Sequence, residues 1–161
     1  MTAQMQPQMI EKKAFLVAGL RYEGRSEQGQ VPALWDQFIP RVGELVPDPT
    51  HWVGYGLARA IPGVDVADRW EYLAGVEVAS GASIPADMVA WEIPALTYAV
   101  LPAHDVPSIE PVSDDFCQQW LPHSAEWEDA GEGFMMEVYP ETFSQDLMIY
   151  LHFPVKHKSG S

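Results

Sequence analysis

Positive charge is what this 161-residue chain has least of: nine Lys and Arg stand against 23 Asp and Glu, a formal net charge of −14. Holding nucleic-acid phosphates requires a basic footprint, so direct nucleic-acid binding is not expected. Cationic ligands and basic partners are favoured instead. Cysteine is almost absent too. Cys117 is the single one, which excludes an intrachain disulfide and a CxxC pair and fits a reducing compartment. No apolar run approaches the ~20 residues of a spanning helix, and the polar, Gln-rich start lacks the apolar stretch of a signal peptide. A soluble, cytoplasmic protein without a membrane partner is expected. His51, His104, His123, His152 and His157 show no HxH or HExxH spacing, and GxSxG, P-loop and GxGxxG patterns are missing. Neither a metal nor another cofactor is therefore expected.

The shortage of positive charge is uneven. Residues 70–155 contain fifteen carboxylates and no Lys or Arg. One reading is a solvated acidic surface that aids solubility. The other is that a carboxylate buried in this half has no local cationic partner and attracts a cation from outside. The length suits one domain, and a 47% hydrophobic share suffices for a core.

What is present repeats. Gln37-Phe38-Ile39-Pro40 returns 82 residues later as Gln119-Trp120-Leu121-Pro122, and the same offset lays Gly54-Tyr55-Gly56 over Met136-Glu137-Val138. Each copy opens on a β-like run, Phe15 to Tyr22 and Leu96 to Leu101. A helix follows: in the first copy it starts near Pro32 and buries Leu34, Trp35, Phe38 and Ile39. In the second it spans Asp114 to Leu121, with Ser113 as cap and Pro122 as stop. Two strands close each copy, His51–Ala60 with Trp70–Val78, and Gly133–Tyr139 with Leu147–Val155. A short strand, Met88 to Trp91, joins the copies. The expected fold is α+β: β-α-β-β units used twice, an antiparallel sheet with helices on one face, and a groove along a pseudo-twofold axis.

Phe15-Leu16-Val17-Ala18-Gly19-Leu20-Arg21-Tyr22, the Tyr72–Val78 run, Ile93-Pro94-Ala95 with Tyr98-Ala99-Val100, Trp120-Leu121-Pro122 and Glu137-x-Tyr139 together resemble the GyrI-like small-molecule-binding family, also called the AraC-type effector-binding domain. The resemblance implies a SOUL/GyrI-like duplicated fold over residues 8–156, with repeats at about 8–80 and 88–156 and disordered ends at 1–7 and 157–161. It also implies recognition of lipophilic cationic drugs by a carboxylate in an aromatic-lined pocket. With no room for a DNA-binding module, a stand-alone member is expected. Family members of that kind include drug binders, gyrase inhibitors and hydrolases that open the cyclopropane ring of alkylating natural products.

Glu137 is the first candidate. It lies in the apolar run Phe134–Tyr139, where alternation puts Met135, Glu137 and Tyr139 on one face. It is either a solvated strand residue or a semi-buried acid with a raised pKa that a bound cation would restore to the ionised form. The Glu-x-Tyr match implies the second. Glu77, sharing a face with Gly75, is either a charged strand end or a second pocket acid. Were the two acids to converge, one could protonate a leaving group while the other activates water, so both are the catalytic candidates of an enzyme reading. Tyr55, which the repeat lays over Glu137, then Trp91, Tyr139, Trp120 and Tyr98 supply aromatic faces for a cation or serve plain core packing. The leading expectation is a pocket for a small aromatic or cationic ligand. A ring-opening hydrolase comes second. An acidic inhibitor with a protein partner, such as a DNA-binding enzyme, comes third.

Overall fold

The computed structural model describes residues 6–25 and 29–159; residues 1–5 of the expected N-terminal tail and 160–161 of the C-terminal one lie outside the described residues. Among the described residues nine strands form one antiparallel sheet: β1 (Gln8–Lys12), β2 (Phe15–Gly24), β3 (Gly54–Ala60), β4 (Trp70–Val78), β5 (Val89–Ile93), β6 (Leu96–Ala103), β7 (Trp127–Asp129), β8 (Phe134–Tyr139) and β9 (Ile149–His157). Their order is β1-β6-β9-β8-β3-β4-β2-β5, with β7 beside the end of β9. The duplication is visible in this order. β6-β9-β8 mirrors β2-β4-β3 about the central β3/β8 pair.

The sheet also departs from the expected β-α-β-β unit. The strand that opens each repeat pairs with the other repeat: β1 with β6 and β5 with β2. Each opening strand reaches its successor through two residues, Lys13-Ala14 or Pro94-Ala95. The two ends of the strand order are thus tied to opposite sides, and the sheet curls. Ile10 of β1 and Trp91 and Ile93 of β5 accordingly pack into one cluster with the central Leu57 and Met136.

The helices cover the other face. α1 (Gln30–Phe38) packs on β2 and β4, burying Leu34 and Phe38, and Pro40 turns it into a 3-10 segment, Ile39–Glu44, rather than ending it. The second helical segment starts earlier than expected. Asp105 accepts from the Ser108 backbone N–H, α2 (Ile109–Asp115) follows, and Ser113 lies inside it with its hydroxyl donating to the Ile109 carbonyl. A π-helical turn over Phe116–Trp120 leads into α3 (Leu121–His123). Pro122 lacks an N–H, and its ring would crowd the preceding turn of a regular helix; a widened turn accommodates both. Phe116 is buried there, whereas its neighbour Cys117 is exposed.

At the C-terminal end, His157 still belongs to β9, pairing with Trp127, and the Lys158 N–H donates to the Glu126 carbonyl. Both residues fall within the stretch expected as a tail. No helix among the described residues is long and apolar enough to cross a membrane.

Candidate functional site

With α1 over β2 and β4, and α2 over β6 and β9, the central pair β3/β8 lies between the two helical segments. Its helix-side floor is made of small residues on β3, Gly54, Gly56 and Ala58, set opposite Tyr139, Glu137 and Met135 on β8. Small residues leave room, and large ones from neighbouring elements fill it. Trp35 descends from α1, Tyr72 rises from β4, and Phe143, from the single turn α4 (Phe143–Asp146), packs on Tyr139 with ring centroids 5.1 Å apart.

Glu137 sits at the middle of this filling with 8% exposure. Its Oε1 accepts two hydrogen bonds, from the Tyr72 hydroxyl at 2.6 Å and the Tyr139 hydroxyl at 2.9 Å. The Trp35 indole N–H donates to the Tyr72 oxygen at 3.0 Å, which commits the Tyr72 proton to Glu137. Oε2 receives no hydrogen bond from the described residues. The Trp35 and Tyr139 rings meet edge-on at 5.1 Å and wall the carboxylate in. A glycine is required beneath it: a Cβ at Gly56 would stand 2.0 Å from the Tyr72 hydroxyl oxygen and 2.7 Å from Glu137 Oε1.

Electrostatics follow from this burial. Loss of water pushes the Glu137 carboxyl above its usual range, and the two tyrosine hydrogen bonds only partly oppose the rise. The Tyr72 and Tyr139 hydroxyls are themselves held well above the ordinary tyrosine value by burial and by Glu137. Among the described residues no cation faces Glu137. The other largely buried carboxylate of the acidic stretch, Glu71, is treated differently. Burial raises its pKa, but Arg59 at 2.8 Å and Arg21, both from the first repeat, outweigh that and bring it below the usual range. Glu137 is thus a buried acid held by neutral donors alone.

The remaining candidates divide by face. Residues opposite one another in a sheet share a face, and Glu137 stands opposite Gly56, not Tyr55. Tyr55 points the other way, into the cluster with Phe15, Trp91 and Tyr98, so it lies on the opposite face from Glu137. Trp91 is in that cluster under the Arg59 guanidinium, 3.8 Å from its ring centroid. Tyr98 is fully buried beside Phe134 and His152, and burial pushes its hydroxyl up to about 12. Glu77 stands opposite Val17 on the same far face, half exposed and 3.6 Å from the Lys12 ammonium. Glu77 and Glu137 therefore do not converge. Gly75 beside Glu77 opens no ligand space, since a Cβ there would lie 2.3 Å from the Ala18 carbonyl oxygen. Trp120 stacks on Phe116 at 5.4 Å, with its N–H near Gln6. Of the sequence candidates, only Tyr139 touches Glu137.

Sequence reasoning missed Tyr72, Trp35 and Gly56. Alternation along β4 places Tyr72 with Ala74 and Val76 on the helix-covered face, a signal that was available. The match between Trp35 and Tyr72 is a tertiary contact with no local signature.

Known proteins share this architecture. A family model described as "Cass2: Integron-associated effector binding protein" matches residues 8–155. Over 96 residues the chain is 34% identical to the transcriptional regulator BrlR of Pseudomonas aeruginosa, a match covering 60% of this chain and 34% of BrlR. The chain thus spans about a third of that relative's length. The structure of SAV2435 bound to tetraphenylphosphonium aligns with a TM-score of 0.70 at 14% identity, covering 94% of each chain. An integron cassette protein from the mobile metagenome of Vibrio cholerae aligns at 0.63 and 15% identity, covering 94% of this chain and 96% of that one. At these identities the structural likeness is one of fold.

Proposed function

The chain belongs to the Cass2 family of integron-associated effector binding proteins, a GyrI-like family of small-molecule binders, and from that premise we propose that it takes a lipophilic, cationic aromatic compound over Glu137, for sensing or sequestration. The observation that carries the proposal is a buried carboxylate held by two tyrosine hydroxyls, with no cation near it among the described residues. Burial penalises the charged form of such a group, and a cation bound beside it offsets that penalty and favours the carboxylate. The Trp35, Tyr139 and Phe143 rings around it suit a flat or aryl-substituted cation, worth roughly 0.5–2 kcal/mol per favourable face. Tetraphenylphosphonium, the ligand in the SAV2435 structure, is of this chemical class and is a suitable probe.

Glu137 is walled in by Trp35 and Tyr139, so entry requires those rings to part. α4 and its flanking residues are the segment best placed to move. Glu141 next to it meets His51 at 3.5 Å, both exposed, and Leu147 at its end holds a left-handed φ of 61°.

The test is calorimetric titration with tetraphenylphosphonium and with triphenylphosphine oxide, a neutral aryl analogue. The cation is expected to bind at least tenfold more tightly, with an affinity that declines as the pH drops and Glu137 protonates. Equal affinity for the two, or an affinity indifferent to pH, overturns the proposal. A ring-opening reaction using Glu77 and Glu137 together has no geometric support, because the acids occupy opposite faces.

A further inference from the structure

The chain has four lysines, Lys12, Lys13, Lys156 and Lys158, close to its two ends. The strand exchange gathers them. β1 finishes at Lys12 alongside Leu96, where β6 begins, and β9 runs past the start of β6 to finish at His157. At this corner is an open cavity of about 720 Å³, lined by Lys12, Lys13, Lys156 and His157, with Trp127 beside them and Glu11 as the one carboxylate of the lining.

The lysines here are not equally engaged. Lys12 shares Glu77, and the Lys158 ammonium donates to the Ser124 carbonyl. The ammonium groups of Lys13 and Lys156 have neither a hydrogen bond nor an ion pair among the described residues. Three of the five described arginines contrast with them: Arg21, Arg41 and Arg59 are each tied to carboxylates. Flat surface is present as well, since the Trp127 indole stacks on the His157 imidazole at 4.0 Å and 27°. Two carboxylates reach the corner, Glu77 at Lys12 and Glu126 3.7 Å from the His157 ring, and more distant exposed charges beyond about 8 Å are largely screened at physiological ionic strength.

We propose that this cavity is a second ligand site, for a small polyanion bearing clustered phosphate or carboxylate oxygens, held between Lys13 and Lys156 with the Trp127–His157 stack as its flat wall. It shares no residue with the Glu137 groove and has the opposite charge preference, so it stands or falls independently of the cationic-ligand reading.

Two-dimensional NMR of the full chain, titrated separately with pyrophosphate and citrate at physiological ionic strength, tests it. Saturable shifts of the Trp127 indole N–H, assigned through Trp127→Phe, are expected, and the tighter of the two probes tells phosphate from carboxylate. Lys13→Gln combined with Lys156→Gln is expected to weaken binding about tenfold or more, as for loss of two charge-assisted contacts. Lys158→Gln and Glu137→Gln are expected to leave it unchanged. Both lysines are solvent-facing, and the dispersion of the same spectra reports that each variant is folded. Shifts that stay linear through millimolar concentrations, or a double variant that binds like the parent, overturn the proposal.

Discussion

Replacing Glu137 by Gln is expected to move binding and stability in opposite directions. Glutamine keeps the shape and an oxygen acceptor for the Tyr72 and Tyr139 hydroxyls, but it never carries charge. In the parent, burial raises the Glu137 pKa, so the folded protein holds that proton more tightly than the unfolded chain. The resulting stabilisation is fully present below the unfolded value of about 4.3 and is lost as the pH rises through the folded one. At neutral pH the ligand-free protein therefore bears the cost of burying an ionisable carboxylate, and every tenfold gain in proton affinity on folding corresponds to about 1.4 kcal/mol of that cost. Glu137→Gln removes it, raising the unfolding temperature by about 2–4 °C per kcal/mol in a chain of this size. A bound cation suffers the reverse. A unit charge about 4 Å from the carboxylate is worth about 4 kcal/mol at an effective dielectric constant of 20, before desolvation. On the scale of hydrogen bonds to charged groups the net loss is about 1.5–3 kcal/mol, about 10- to 150-fold in Kd. Scanning calorimetry without ligand and titration with tetraphenylphosphonium, both between about pH 5 and 8, read the two effects. A variant that unfolds at a lower temperature at neutral pH, or binds the cation as the parent does, refutes the buried-charge argument.

Other consequences can be checked alongside it. Tyr72→Phe leaves the Trp35 N–H without an acceptor and Glu137 with one donor, and is expected to cost about 1–3 kcal/mol in urea unfolding; Tyr139→Phe, which loses a single bond, should cost less. Gly56→Ala drives a methyl into the Tyr72 hydroxyl and Glu137, so a loss of about 1–3 kcal/mol together with weakened cation binding is expected, and unaltered titration curves would count against the glycine floor. His152 is buried beside Tyr98, and loss of water lowers its pKa to about 4. That depression gives stability above about pH 6.5 that is lost as the pH falls towards 4, roughly 3 kcal/mol in all. Urea titrations at stepped pH should show this slope in the parent and its absence in His152→Gln; identical slopes would assign the acid sensitivity elsewhere.

The elements with strong local patterns were legible in the sequence: β2, β4, β6, β8, the apolar stripe of α1, and the order of the two repeats. Glu137 with Tyr139 was legible too, because alternation along β8 places them on one face whatever the strand meets. What the sequence hid was non-local. An offset of 82 residues aligns the helices but sets Tyr55 over Glu137. Among the strands Phe15 and Leu96 open equivalent elements 81 apart, and Gly56 faces Glu137 across the central pair. A single step of register reverses the face of every side chain, and Tyr55 went from groove to core by that step. Glu77 failed for the same reason, since its face is set by pairing with Val17 and not by its neighbours in sequence. The exchange of β1 and β5 carries no local mark at all, both being short strands whose partners lie a repeat away.

That exchange also bears on how the chain is made. During synthesis β1 leaves the ribosome well before its partner β6, which follows some ninety residues later, and β6 itself gains its second neighbour only when β9 is complete at His157. The opening half cannot be set aside as a finished subunit during synthesis. It waits, with an apolar edge uncovered, for the closing half. Burying that edge then depends on how fast translation runs through the acidic second repeat. Synonymous codons that slow residues 96–157 should therefore lower the soluble yield without altering a single side chain.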